Sequence, residues 1–177
     1  MRGRKAENYG GGEGAAAVVS EVVEMATRCT ITVRDEEGCE YTIYRHHDGN
    51  PEGVVSDLWL LMEFYNMNPM RNAGYFLANF IFYAKLPMWL ESKDGKIDPI
   101  LKWWEFGYSI CPENCGCGGD LDYRYFIYPK DGKIMLKIER FSYETMNFKE
   151  IFDDKIEKAF EKWADSGGCH LEPELFF

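Results

Sequence analysis

Between positions 44 and 53 the chain reads Tyr44-Arg45-His46-His47-Asp48-Gly49-Asn50-Pro51-Glu52-Gly53. Imidazoles titrate near neutral pH, so histidine beside an acid can bind an anion or move a proton. A guanidinium stays charged and offers its donors to a carboxylate or a phosphate. Asp48-Gly49 is a turn pair, Asn50 suits an N-cap, and Pro51 suits the first helical position. The polar residues therefore stand where a helix begins, and a helix N-terminus favours an anion. Tyr44, Arg45, His46, His47, Asp48 and Asn50 form the candidate site on this basis. A structural account competes with it. Asp48 and Asn50 also suit a tight turn, and a buried Arg45 must pair with an acid.

A second cluster is Asp120 and Asp122, in Gly119-Asp120-Leu121-Asp122-Tyr123. With Asp48, His46 and His47 these carboxylates could hold a divalent cation for phosphoester hydrolysis. The preceding glycines place them in a turn, which explains them without chemistry. Cys111, Cys115 and Cys117, with Cys169 further along, have the thiols for zinc. Their Cys-x3-Cys-x-Cys spacing departs from the paired knuckles that structural zinc sites use. No metal and no cofactor is expected, and a disulfide or free thiols account for the cysteines. There is no G-x-x-x-x-G-K, G-x-S-x-G or H-E-x-x-H.

Arg45 to Val54 resembles the R-H-x-D-G-x-P-E-G-V stretch of an uncharacterised family of small prokaryotic and viral proteins. Members of that family carry a later G-D-x-x-Y segment, matched here by Gly119-Asp120-Leu121-Asp122-Tyr123. They usually have an aromatic residue where this chain has Asn50. The resemblance implies no activity and assigns no catalytic roles.

The elements that must position these residues follow from periodicity. Cys29 to Arg34 and Tyr41 to Arg45 alternate and make a hairpin around Glu36-Glu37-Gly38. Its register sets Cys29 beside Arg45, Ile31 beside Ile43 and Val33 beside Tyr41, and keeps Cys29 and Cys39 apart. That register points Arg45 to the face of Ile43, with Asp120, Asp122 or Asp48 as its expected acid. A helix follows with Val54, Leu58, Leu61, Met62 and Tyr65 on one face. A second spans about 70–85, with Phe82 and Tyr83 widening its apolar stripe. Tyr123 to Tyr128 and Ile134 to Arg140 make a second hairpin around Asp131-Gly132. It pairs Arg124 with Glu139 on a wet face, and Tyr125 with Ile138 and Ile127 with Leu136 on a dry one. The last helix is expected from about Phe148 to Ala164, capped by Asn147 and Glu150. Trp89, Trp103, Trp104, Phe106 and Tyr108 crowd the irregular middle.

The expected fold is α+β: a mainly antiparallel sheet from two β-hairpins, with about three helices packed largely on one face. Residues 1–24, rich in glycine, read as a flexible N-terminal extension, and residues 25–177 as a single α+β domain. The chain has 177 residues, 46% hydrophobic composition and a formal net charge of −10. That length and composition support a sizeable core. The charge argues against nucleic-acid binding through a basic surface. No apolar run is long enough to span a membrane, and no secretory apolar region opens the chain, so the cytosol is the expected compartment. The leading expectation is a non-enzymatic binding module. It would take a partner protein or a small anionic ligand at the Arg45–Gly53 loop. A metal-dependent phosphoesterase or nuclease-like enzyme using His46, Asp48 and Asp120 is the alternative. A viral protein that blocks a host factor is the third reading.

Overall fold

A computed structural model describes residues 26–90, 107–111 and 120–163. The readings of the N-terminal extension, of Cys115, Cys117 and Cys169, and of Trp103, Trp104 and Phe106 lie outside these residues, as do those of the Trp89 side chain.

The centre is a six-stranded sheet in the order β3-β2-β1-β4-β5-β6. β1 is Cys29–Arg34, β2 is Glu40–Arg45, β3 is Tyr108–Cys111, β4 is Tyr123–Lys130, β5 is Lys133–Ser142 and β6 is Asn147–Lys155. Among the described strands only β1 and β4 run parallel; every other neighbouring pair is antiparallel. β1 and β2 pair with Cys29 opposite Arg45 and Ile31 opposite Ile43. Their connection is held by Asp35, which is 4% exposed. Its carboxylate accepts from the amides of Glu37, Cys39 and Ala73, so one buried acid organises the turn and the start of the helix that begins at Ala73. Gly38 takes the left-handed conformation that the loop needs, at φ +85°. β4 and β5 meet at Asp131-Gly132, both with positive φ, which suits a two-residue turn.

Among the described residues three helices complete the α+β fold: α1 Pro51–Trp59, α2 Ala73–Leu90 and α3 Ile156–Trp163. α1 runs on into a π-helical turn at Leu60–Phe64. Cys29, Ile31, Ile43, Tyr125, Ile127, Leu136 and Ile138 alternate onto one face of the sheet and are buried. Against them pack Val54 and Leu58 of α1, Phe76 and Phe80 of α2, and Ile156 and Phe160 of α3. Phe82, expected to widen the α2 stripe, is 58% exposed.

Two expectations need correction. The sheet is not two hairpins alone, because β3 and β6 extend its edges. The last helix is much shorter than expected, since Asn147–Lys155 is a strand and not its first half. Asn147 and Glu150 therefore form no capping box. The apolar residues Phe148, Phe152, Ile156 and Phe160 fall every four positions, which imitates a helical stripe. In β6 a bulge lies within that spacing. Glu150 stands opposite Glu139 while Phe152 stands opposite Ile138, so Ile151 is the extra residue. The bulge turns Phe148 toward the helix-free face, where the Arg124 guanidinium lies 3.7 Å from its ring centre. Phe152 packs on the core and meets Trp163.

Candidate functional site

The directions of the strands bring the ends of β2 and β5 to the same end of the sheet as the starts of β1, β4 and β6. The motif loop and the Asp120–Asp122 segment both lie there.

Within the loop, much of the chemistry is spent on structure. The Gly49 amide donates to the Thr27 carbonyl at 2.9 Å, and the buried Tyr125 hydroxyl donates to the Gly49 carbonyl at 2.8 Å. A Cβ on Gly49 would sit 2.8 Å from the Thr27 oxygen, and one on Gly53 2.6 Å from the Asp48 oxygen. Both glycines are thus required by close backbone approach. Asp48 holds φ +52°, a conformation that Asp tolerates better than most residues. Asn50 caps α1, its side-chain oxygen accepting from the Gly53 amide at 2.8 Å. Pro51 has no N–H, and Val54 already donates to the Asn50 carbonyl. Few free donors remain for an anion, and the exposed carboxylate of Glu52 opposes one.

Arg45 is 5% exposed. Its Nη1 donates to Asp57 Oδ2 at 2.6 Å and its Nε to the His47 carbonyl at 2.7 Å. The guanidinium also lies over the Tyr108 ring, 5.8 Å from its centre. Burial alone would lower the guanidinium's pKa, but the Asp57 carboxylate outweighs it and holds the group above its ordinary value. The expected acids, Asp120, Asp122 and Asp48, are not its partners. β1 lies between β2 and β4, so the segment leading into β4 is two strands, roughly 10 Å, from Arg45. Asp120 instead accepts from Arg28 Nη1 at 2.9 Å, and Asp122 from the Arg28 amide at 2.9 Å. Burial pushes the Cys29 thiol up to about 12, leaving it inert as a nucleophile.

What stays available is on the outer side of this end. Tyr44 is half-buried and its hydroxyl lies 2.6 Å from His46 Nδ1. His47 is exposed, its ring edge-on to His46 at 4.5 Å between centres. Burial lowers the pKa of His46, and His47 and Arg28 lower it further, so the ring favours its neutral form. Burial raises the Tyr44 pKa. Beside Asp122 opens a cleft of about 540 Å³ lined by Tyr123, Arg140, Tyr143, Glu144 and Lys149 among others.

Asp57, Arg140 and Lys149 were absent from the sequence-derived site. Asp57 had a signal: it interrupts the apolar face between Val54 and Leu61, over the buried Arg45. Lys149 had none, because its strand imitates a helix. Among the described residues no three His, Cys, Asp or Glu side chains are placed to hold a metal. Cys111 is disulfide-bonded, so it supplies no thiolate, and the zinc alternative at Cys111, Cys115, Cys117 and Cys169 loses one ligand. Among the described residues, no helix is long and apolar enough to cross a membrane. No protein-family model, no curated protein and no solved structure matches the chain.

Proposed function

We propose that the protein is a non-enzymatic binding module for a small anionic ligand, taken at the end of the sheet that carries the motif loop. The observation that carries this reading is the open cleft of about 540 Å³, a volume suited to a small molecule, with Arg140 and Lys149 in its lining. Arg28 adjoins it through Asp122, whose carboxylate accepts from the Arg28 amide. Arg45 does not take part, because it is buried on Asp57 and serves the fold. The resemblance of Arg45–Val54 to an uncharacterised family fits a shared structural loop and lends no activity. The compartment we propose is the cytosol. The disulfide at Cys111 restricts this to an organism whose cytosol tolerates such bonds.

The test is thermal unfolding in the presence of inorganic phosphate, phenyl phosphate and benzoate. A ligand at about 100 times its Kd stabilises the fold by about 2.7 kcal/mol, or roughly 5–10 °C for a chain of this size. Turnover of a simple phosphodiester with Mg²⁺ or Mn²⁺, lost in Asp48→Ala while the fold survives, would refute the binding reading in favour of a metal-dependent phosphoesterase.

A further inference from the structure

Two neighbouring cross-strand pairs of β5 and β6 carry like charges. Glu139 stands opposite Glu150, and Arg140 opposite Lys149. Like charges directly opposite on a sheet repel. The fold resolves the first pair. Lys137 Nζ lies 2.7 Å from Glu139 and 3.7 Å from Glu150, so a cation neutralises the two acids. The second pair receives no such treatment. Among the described residues, neither Arg140 nor Lys149 forms an ion pair. In a chain with 30 acidic and 20 basic residues, two adjacent uncompensated cations need an explanation.

Their surroundings point to a ligand. Both line the cleft together with Tyr123 and Tyr143. Arg140 lies 5.9 Å from the Tyr123 ring centre, which holds the guanidinium beside that ring. Two acids also line the cleft, and they differ. Asp122 is engaged by the protein: its Oδ2 accepts from the Arg28 amide at 2.9 Å and its Oδ1 from the Tyr143 hydroxyl at 3.4 Å. Glu144 is exposed and has no such partner, so it is the one free negative charge beside the cations among the described lining residues.

We propose that Arg140 and Lys149 form the anion-binding subsite of this cleft. They would hold the terminal phosphate or carboxylate of a small ligand whose flat ring lies against Tyr123 or Tyr143. An anion between the two cations completes for Arg140 and Lys149 what Lys137 does for Glu139 and Glu150. Arginine supplies paired donors and lysine a point charge, and tyrosine rings stack offset on flat groups. The assignment rests on the binding-module reading and places its anion away from the motif loop.

Isothermal titration of the full chain with phenyl phosphate, inorganic phosphate and benzoate tests it. Phenyl phosphate should bind more tightly than inorganic phosphate, because only it carries a ring. Comparison with benzoate separates a phosphate ligand from a carboxylate. Arg140→Gln and Lys149→Gln should each weaken binding at least tenfold, about 1.4 kcal/mol. Glu144→Gln should tighten it. Lys133→Gln, exposed at the far hairpin end, should leave it unchanged. All these positions are exposed, and thermal unfolding of each variant confirms its fold. Binding that persists undiminished in Arg140→Gln and Lys149→Gln, but falls in His46→Gln, overturns the subsite and leaves the binding module standing. Binding of none of the three anions overturns both.

Discussion

Replacing Arg45 by alanine should destabilise the protein by about 3–5 kcal/mol. The guanidinium donates to Asp57 at 2.6 Å and to the His47 carbonyl at 2.7 Å. Hydrogen bonds to charged groups contribute roughly 1.5–3 kcal/mol each, and breaking one side of a buried pair costs about 3–5 kcal/mol. The two routes agree. Side-chain exposure is 7% for Arg45 and 15% for Asp57, so water screens the pair only in part. Urea unfolding near pH 7 measures the loss, which corresponds to a fall in Tm of roughly 6–20 °C. Arg45→Met combined with Asp57→Leu should recover most of the loss, because an apolar pair of similar volume strands no charge. A cost below about 1 kcal/mol for Arg45→Ala would mean that the pair does not hold the loop to α1.

Gly49→Ala should cost about 1–3 kcal/mol, read by the same unfolding assay, because its Cβ would meet the Thr27 oxygen at 2.8 Å and Cys29 Cβ at 3.0 Å. A neutral result would show that the loop can lift off β1. Tyr125→Phe should cost about 1–3 kcal/mol by leaving the buried Gly49 carbonyl unpaired; a loss of only a few tenths would imply that water replaces the hydroxyl. For His46 the folded pKa lies below the unfolded value of about 6.5. As pH falls through about 6.5 the unfolded chain takes up the proton first, so stability falls until the folded pKa is passed and then levels. Wild type should therefore lose more stability than His46→Gln between about pH 7.5 and 5. Parallel curves for the two proteins would refute the shift.

The residues around the motif were legible because local rules and tertiary structure agree there. Alternation set the β1–β2 register, and Asn50-Pro51 marked the helix start. The facing of Arg45 followed from that register, but its partner did not. Choosing Asp57 over Asp120 needs the strand order, and a parallel β1–β4 pairing leaves no local trace in either strand. β6 was lost for a different reason. A bulge at Ile151 converts the two-residue period of a strand into a four-residue one, which reads as a helix. With Lys149 assigned to a helix, its position opposite Arg140 could not be seen, and neither could the cleft.

The two halves of this end of the sheet depend on each other physically. The motif loop fastens the start of α1 to the segment leading into β1 through Gly49 and Thr27, and to β4 through Tyr125. Arg28 follows Thr27 directly and ties Asp122 by two backbone contacts, its carbonyl accepting from the Asp122 amide and its amide donating to the carboxylate. Asp122 in turn accepts from the Tyr143 hydroxyl, and its carbonyl accepts from the Phe141 amide at 2.8 Å. A chain of hydrogen bonds thus runs from the loop to the wall of the cleft. Loop residues that touch no ligand can in this way keep Tyr143 and the end of β5 in place. Side chains on a fastened strand end lose less freedom on binding than side chains on a free loop. The most chemically suggestive stretch of the sequence would then serve the site by holding its frame, while the ligand meets residues in the second half of the chain.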